Sequence, residues 1–136
     1  MTETITEKPG ISAAIIVKDG KVLMVRRAVK EGKLSWQFPA GAIESGEVAE
    51  DAAVRETLEE TSLTVKALRL LGERVHPNTG RLMSYTACEV VEGEARVADA
   101  EELDAVAWVA HSEITDYVPY PLYDRVQAYL DEVLPH

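Results

Sequence analysis

Glu56, Glu59 and Glu60 are the residues of this chain whose type and spacing most clearly offer chemistry. They fall in Glu47–Thr61, a stretch rich in alanine and glutamate with no Gly or Pro inside it, which reads as a helix. Carboxylates three and four positions apart share one broad helix face. Like charges at that spacing repel by a few tenths of a kcal/mol per pair, so the cluster asks for a reason. Hard divalent cations supply one: magnesium takes oxygen ligands from a few carboxylates together with substrate phosphates. Such a face, next to the glycine-containing loop Gly41–Gly46, suits a bridge between metal and a pyrophosphate. Arg55 sits among these acids, and its fork could hold a loop carboxylate, with Glu47 the obvious candidate. The plainer reading is a solvated charged face, the usual fate of such runs.

The elements that must position this face are legible around it. Ile11–Val17 and Lys21–Arg27 read as strands joined by the turn signal Asp19-Gly20, and Lys30–Ser35 as a polar loop. Trp36–Pro39 is a short extended piece, because a residue before proline avoids the helical region. Val54, Leu58 and Thr61 are expected to pack against a sheet. Leu63–Leu71 and Leu82–Val91 read as strands joined through His76-Pro77-Asn78-Thr79-Gly80. The acidic run Asp99–Asp104 precedes a further strand, Val106–Val109. Pro121–Leu134 closes the chain as an amphipathic helix, with Leu122, Val126, Tyr129, Leu130 and Val133 on one side. Residues 1–9 read as a loose tail and 10–136 as one domain, mixed α/β or α+β.

The segment GAIESGEVAEDAAVRETLEETSL, Gly41 to Leu63, resembles the Nudix box, G-x5-E-x7-R-E-U-x-E-E-x-G-U with U aliphatic. Gly41, Glu47, Arg55, Glu56, Glu59, Glu60 and Leu63 match in register. Thr57 replaces an aliphatic residue, and Ser62 replaces the glycine that ends the helix. If that position needs a left-handed backbone, serine costs about 1 kcal/mol relative to glycine. Trp36-Gln37-Phe38-Pro39-Ala40 also precedes the box much as W-x-F-P-G does in members of the family.

The resemblance implies the Nudix fold, an α/β/α sandwich around a mixed β-sheet, and a MutT-like hydrolase acting on phosphoanhydrides. It implies metal ligands at Glu56, Glu59, Glu60 and the Ala40 carbonyl, for Mg2+ or Mn2+. Glu47 would interact with Arg55 and hold the loop to the helix, with Gly41 structural. Catalytic roles fall to Glu59, Glu56 and Arg55, and to a carboxylate outside the box, Glu102 or Glu101, as base or extra ligand. The leading substrate is a nucleoside triphosphate, modified or not, releasing pyrophosphate. ADP-ribose or a dinucleoside polyphosphate is the alternative, and a non-catalytic nucleotide-sensing Nudix domain is the reading of another class.

Other residues carry less. Arg26 and Arg27 could bind phosphate, Arg27 being the candidate, or form a basic pair on an edge strand. Trp36 and Tyr85 could stack on a base or pack in the core, and Trp108 is expected in the core. Cys88, the sole cysteine, reads as a small buried hydrophobe. A net charge of −10 leaves no basic footprint for long nucleic acid, so the expected partner is a small nucleotide. No apolar run approaches the roughly 18–20 residues that span a bilayer, nor is there a signal-peptide pattern. Cytoplasmic residence is therefore the default, and a homodimer stays open.

Overall fold

A computed structural model describes residues 9–27, 35–77 and 79–136. Most of the expected loop at Lys30–Ser35 and nearly all of the expected tail at 1–9 lie outside the described residues. Strands β1 (Ile11–Lys18), β2 (Lys21–Arg27), β3 (Ser35–Gln37) and β4 (Ala40–Ala42) precede helix α1 (Ala49–Thr61). Then come β5 (Thr64–Val75), β6 (Leu82–Glu92), β7 (Leu103–Val109), a 3₁₀ turn at His111–Glu113, α2 (Ile114–Tyr117) and α3 (Asp124–Val133). One mixed sheet has the order β3-β2-β1-β6-β5, with β4 paired to β1 and β7 to β2. The β1–β6 pairing is parallel and the others are antiparallel.

Local chemistry explains the turns. Asp19 and Gly20 both have positive φ, 53° and 77°, the conformation a two-residue hairpin turn matches to strand twist. The β1–β2 hairpin pairs only near its turn, and β4 takes up the other end of β1 at Ile11–Ala13. That pairing makes a strand of residues expected to be loop. It also sets one row across the sheet, Ala40–Ala13–Tyr85–Gly72, running from β4 through β1 and β6 to β5.

The helices cover both faces. On one, Ala14, Ile16, Leu23 and Cys88 pack with Ala53 and Leu63; on the other, Ile15, Met24 and Ala87 pack with Ile114, Val126 and Leu130. The α/β/α arrangement is thus present, and each large aliphatic side chain buried there contributes about 1.5–3 kcal/mol. Cys88 is 1% exposed, and burial pushes its thiol up to about 12, so it is the inert hydrophobe expected.

Several expectations require correction. The inner face of α1 is Ala52, Ala53, Thr57, Glu60 and Thr61; Thr61 is buried and Val54 packs half-buried against the same core as expected, whereas Leu58 is exposed. Small residues win because the helix lies close to the sheet. Thr57 and Thr61 satisfy their buried hydroxyls by donating to the carbonyls of Ala53 and Thr57, both at 2.7 Å. α1 starts at Ala49, not Glu47, since Gly46 (φ 81°) turns the chain and the Glu47 side chain is used elsewhere. β2 is interior, with β7 on one side and β1 and β3 on the other, so Arg26 and Arg27 are not an edge pair. β5 runs on to Val75 and β7 begins at Leu103, each lengthened by its partner strand. α3 begins at Asp124, later than Pro121, and Trp108 is half-buried at the rim of the α1-side core.

Candidate active site

Arg55 organises the loop before α1. Its Nε and Nη2 donate to the two oxygens of Glu47 at 2.8 and 2.9 Å, a bidentate pair. Nη2 also reaches the Ala42 carbonyl at 3.0 Å, while Nη1 reaches Glu56 at 3.0 Å and Glu59 at 3.2 Å. Glu47 in turn accepts from the Glu44 N–H at 3.0 Å. The guanidinium and that N–H hold the Glu47 carboxyl down at about 2, and the Arg55 pKa is raised. Gly41 lies under this arrangement: a β-carbon there would overlap the Glu56 carboxylate. Ser62, which ends α1, has φ 67° and ψ 10°, the left-handed conformation the family's glycine would adopt freely. Its N–H caps the Leu58 carbonyl.

A second guanidinium faces the other side of the acid cluster. Arg27 donates from Nη1 to Glu102 Oε1 at 2.8 Å, and from Nη2 to the Ala40 carbonyl at 2.8 Å and Glu60 Oε2 at 3.3 Å. Its neighbour Arg26 pairs with Asp104 at 2.7 Å, stapling β2 to β7. The Glu60 side chain is 4% exposed. Burial pushes its carboxyl up to about 7, against the pull of Arg27 and with the added repulsion of Glu56. Burial likewise raises Glu56, opposed by Arg55.

Among the described residues Glu60 Oε1 is buried without a hydrogen-bond partner. A buried carboxylate oxygen without a partner is costly, and a cation is the group that would satisfy it. The neighbouring donors, the Ala40 carbonyl and the Glu56 and Glu59 carboxylates, are all oxygen, the set a hard divalent ion takes. The residues therefore fit such a metal chemically. Among the described residues no three His, Cys, Asp or Glu side chains converge as a ready ligand group. The acids are instead held by Arg55 and Arg27.

Beside Ala40 opens a cavity of about 540 Å³, within the usual range for a small-molecule site. Trp36, Tyr85, Tyr120, Tyr123 and Arg74 are among its walls, and no Asp or Glu of the described residues lines it. Tyr85, 5% exposed, stacks at a tilt on Tyr123 with centroids 5.1 Å apart. Trp36 meets Tyr117 edge-on at 4.9 Å, and the Arg26 guanidinium lies 5.6 Å from its ring.

A family model described as the NUDIX domain matches residues 7–132. The chain belongs to the NUDIX family. Among similar proteins is the putative mutator protein MutT4 of Mycobacterium tuberculosis, 31% identical over 122 residues, covering 82% of this chain and 47% of that one. Another is an ADP-ribose pyrophosphatase of Methanocaldococcus jannaschii, 37% identical over 89 residues, covering 62% of this chain and 53% of the relative. This NUDIX chain thus spans about half the length of these curated relatives. A solved NUDIX hydrolase of Nitrosomonas europaea superposes with a TM-score of 0.80 over 96% of this chain and 74% of its own, at 23% identity, a likeness of fold.

Of the residues singled out in the sequence, the NUDIX fold gathers Ala40, Gly41, Glu47, Arg55, Glu56, Glu59 and Glu60 at one end of the sheet, with Arg27 and Glu102 joined to them by ion pairs. Trp36 and Tyr85 line the adjoining cavity. Glu101 is exposed, and its N–H is taken by Asp99 at 3.1 Å. Arg74 and Tyr123 went unnoticed in the sequence. Arg74 lies beyond the expected end of its strand, and Tyr123 was absorbed into the expected closing helix. No helix among the described residues is long and apolar enough to cross a membrane.

Proposed function

We propose that this NUDIX chain hydrolyses a phosphoanhydride bond in a nucleoside diphosphate linked to another moiety, using a divalent cation, Mg2+ or Mn2+. The leading substrate is a nucleoside triphosphate, canonical or modified, split to the monophosphate and pyrophosphate. The observation that carries this reading is Glu60: its Oε1 is buried without a partner among the described residues, its Oε2 shares Arg27 Nη2 with the Ala40 carbonyl, and a cavity of about 540 Å³ opens beside Ala40.

Glu56, Glu59, Glu60 and the Ala40 carbonyl are the groups that would hold the cation. Bound there, it would polarise a phosphoryl oxygen and offset charge on the leaving group. Arg55 keeps the box loop and two of the acids in register. Arg27 presents a fork suited to phosphate oxygens. Glu59 and Glu102, with side chains 55% and 56% exposed, are accessible enough to take the proton of an attacking water. The box therefore acts on the diphosphate, and the cavity receives the other half.

Cleavage of ADP-ribose or a dinucleoside polyphosphate is the second reading, favoured by the likeness to the M. jannaschii protein named an ADP-ribose pyrophosphatase. A panel of nucleoside triphosphates, oxidised analogues, ADP-ribose and dinucleoside polyphosphates, assayed with Mg2+, separates the two. Pyrophosphate with monophosphate as the fastest product supports the first, and AMP released fastest from ADP-ribose supports the second. Metal-independent nucleotide binding with no product from any substrate would favour a sensor domain.

A further inference from the structure

We propose that Arg74 is a specificity-determining residue of the cavity beside Ala40 and selects nucleobases carrying a keto group over those carrying an amino group at the same edge. The inference rests on the reading of this site as one that binds a nucleotide by its diphosphate.

The sheet register fixes the distance scale. Ala40, Ala13, Tyr85 and Gly72 stand in one row on β4, β1, β6 and β5, and Arg74 is two residues along from Gly72 on the same strand. Three strand spacings are about 14 Å, so a phosphate held at Ala40 lies well beyond hydrogen-bond reach of the Arg74 backbone. Ala40 and Arg74 line one cavity from strands three spacings apart, so a ligand whose diphosphate sits at Ala40 and which runs along the row brings its far half to Arg74.

The surroundings of Arg74 are aromatic. Its guanidinium carbon lies 5.2 Å from the Tyr123 ring centroid and 5.9 Å from that of Tyr85, and its Nε donates to the Tyr85 hydroxyl at 3.4 Å. Among the described residues neither Nη nitrogen donates to a protein acceptor. With Nε turned to the Tyr85 hydroxyl, the Nη edge of the guanidinium is the one left for a planar heterocycle lying against these aromatic walls. This wall is also fixed. The Tyr123 hydroxyl donates to the Glu73 carbonyl at 3.1 Å, and Gly72 leaves room for it, since a β-carbon there would come within 2.7 Å of that oxygen.

Charge decides what such a site reads. The chain as a whole carries −10, yet the cavity has Arg74 in its wall and no Asp or Glu of the described residues. A carboxylate accepts from an exocyclic amino group, whereas a guanidinium can only donate. The N7 and O6 edge of guanine or hypoxanthine offers two adjacent acceptors to a bidentate arginine, while adenine puts an amino donor where O6 would be. One such pairing discriminates by about tenfold or more.

The test compares kcat/KM for GTP and ITP with that for ATP in the intact protein and in Arg74→Met and Arg74→Lys variants, with circular dichroism confirming the fold. In parallel, equilibrium binding of GMP and AMP is measured without metal. The expected result is a keto preference of about tenfold or more in both measurements, carried mainly in KM. It should shrink toward unity in Arg74→Met, and Arg74→Lys, which lacks the fork, should not restore it. If hydrolysis is silent but GMP outbinds AMP and Arg74→Met abolishes the difference, the inference stands and the assignment of activity fails. Equal treatment of keto and amino bases by the unaltered protein, failure of either monophosphate to bind, or a preference untouched in Arg74→Met would overturn it.

Discussion

Arg27 on β2 and Glu60 on α1 meet 33 residues apart in sequence, with Nη2 3.3 Å from a carboxylate whose second oxygen is buried and, among the described residues, unpartnered. The same guanidinium bridges the Ala40 carbonyl and Glu102. A resident cation thus occupies three of the groups assigned to metal and proton transfer. Replacing it with a neutral side chain should leave a more negative site. Arg27→Met is expected to bind Mn2+ about three- to tenfold more tightly, roughly 1 kcal/mol, as read by electron paramagnetic resonance or calorimetry. It should also raise KM for the substrate. Weaker metal binding would mean that Arg27 supports the site rather than competing for it.

Glu47 supplies a pH test. Its carboxyl is depressed to about 2 by Arg55 and the Glu44 N–H. A carboxyl depressed on folding stabilises the fold above its unfolded value of 4.5, and that contribution is lost as pH falls from there through about 2. Titration of the Glu47 carboxyl carbon by NMR should give a midpoint near 2. Glu47→Gln should flatten the pH dependence of stability between those values. A midpoint in the ordinary carboxylate range would show that the pair with Arg55 does not persist in solution.

Gly41 is required by contact rather than by an unusual φ. A methyl group there would overlap the Glu56 carboxylate, so Gly41→Ala must displace either the side chain or the loop. The expected cost is about 1–3 kcal/mol of stability, with metal affinity falling because Glu56 moves. Unchanged metal affinity together with unchanged thermal midpoint would contradict this placement of Glu56.

Ser62 is the complementary case. Its φ of 67° is left-handed and it replaces the glycine of the family's box. Ser62→Gly should stabilise by about 1 kcal/mol, raising the thermal midpoint by roughly 3–5 °C. Activity should be unaffected, since Ser62 is not among the groups that would hold metal. A lowered midpoint would refute the strain argument.

These cases also show what could be read from the chain before its structure. The box face was legible because helical spacing is local, residues at i, i+3 and i+4 sharing a face whatever surrounds them, and the Glu47–Arg55 pair because a guanidinium fork suits a nearby loop carboxylate. The turn at Asp19-Gly20 follows from the backbone freedom of its glycine, whereas a left-handed Ser62 was suggested only by the glycine that the family's box carries there. Arg27 could be named as a phosphate candidate but not placed, because its partners come from β4, α1 and the segment before β7, a meeting made by sheet order. On the inner face of α1 Thr61 was anticipated but Leu58 was misplaced, because a large aliphatic was expected where the small Ala52, Ala53 and Thr57 are buried instead. Arg74 and Tyr123 escaped altogether. Their significance comes from the β5–β6 register and the seating of the segment before α3, neither of which leaves a local pattern.

In the proposed function the buried Glu60 carboxylate would serve a metal that supports hydrolysis of a nucleotide phosphoanhydride. The direct measurement is product release from a panel of nucleoside triphosphates and ADP-ribose by the unaltered protein and by Glu60→Gln, each with Mg2+ and with chelator, alongside calorimetric Mg2+ binding. The expected result is turnover that chelator abolishes and that Glu60→Gln lowers at least 100-fold, on the order of 3 kcal/mol of transition-state stabilisation, with metal affinity reduced and the fold intact. Turnover that persists at full rate in chelator, or in folded Glu60→Gln, would contradict it.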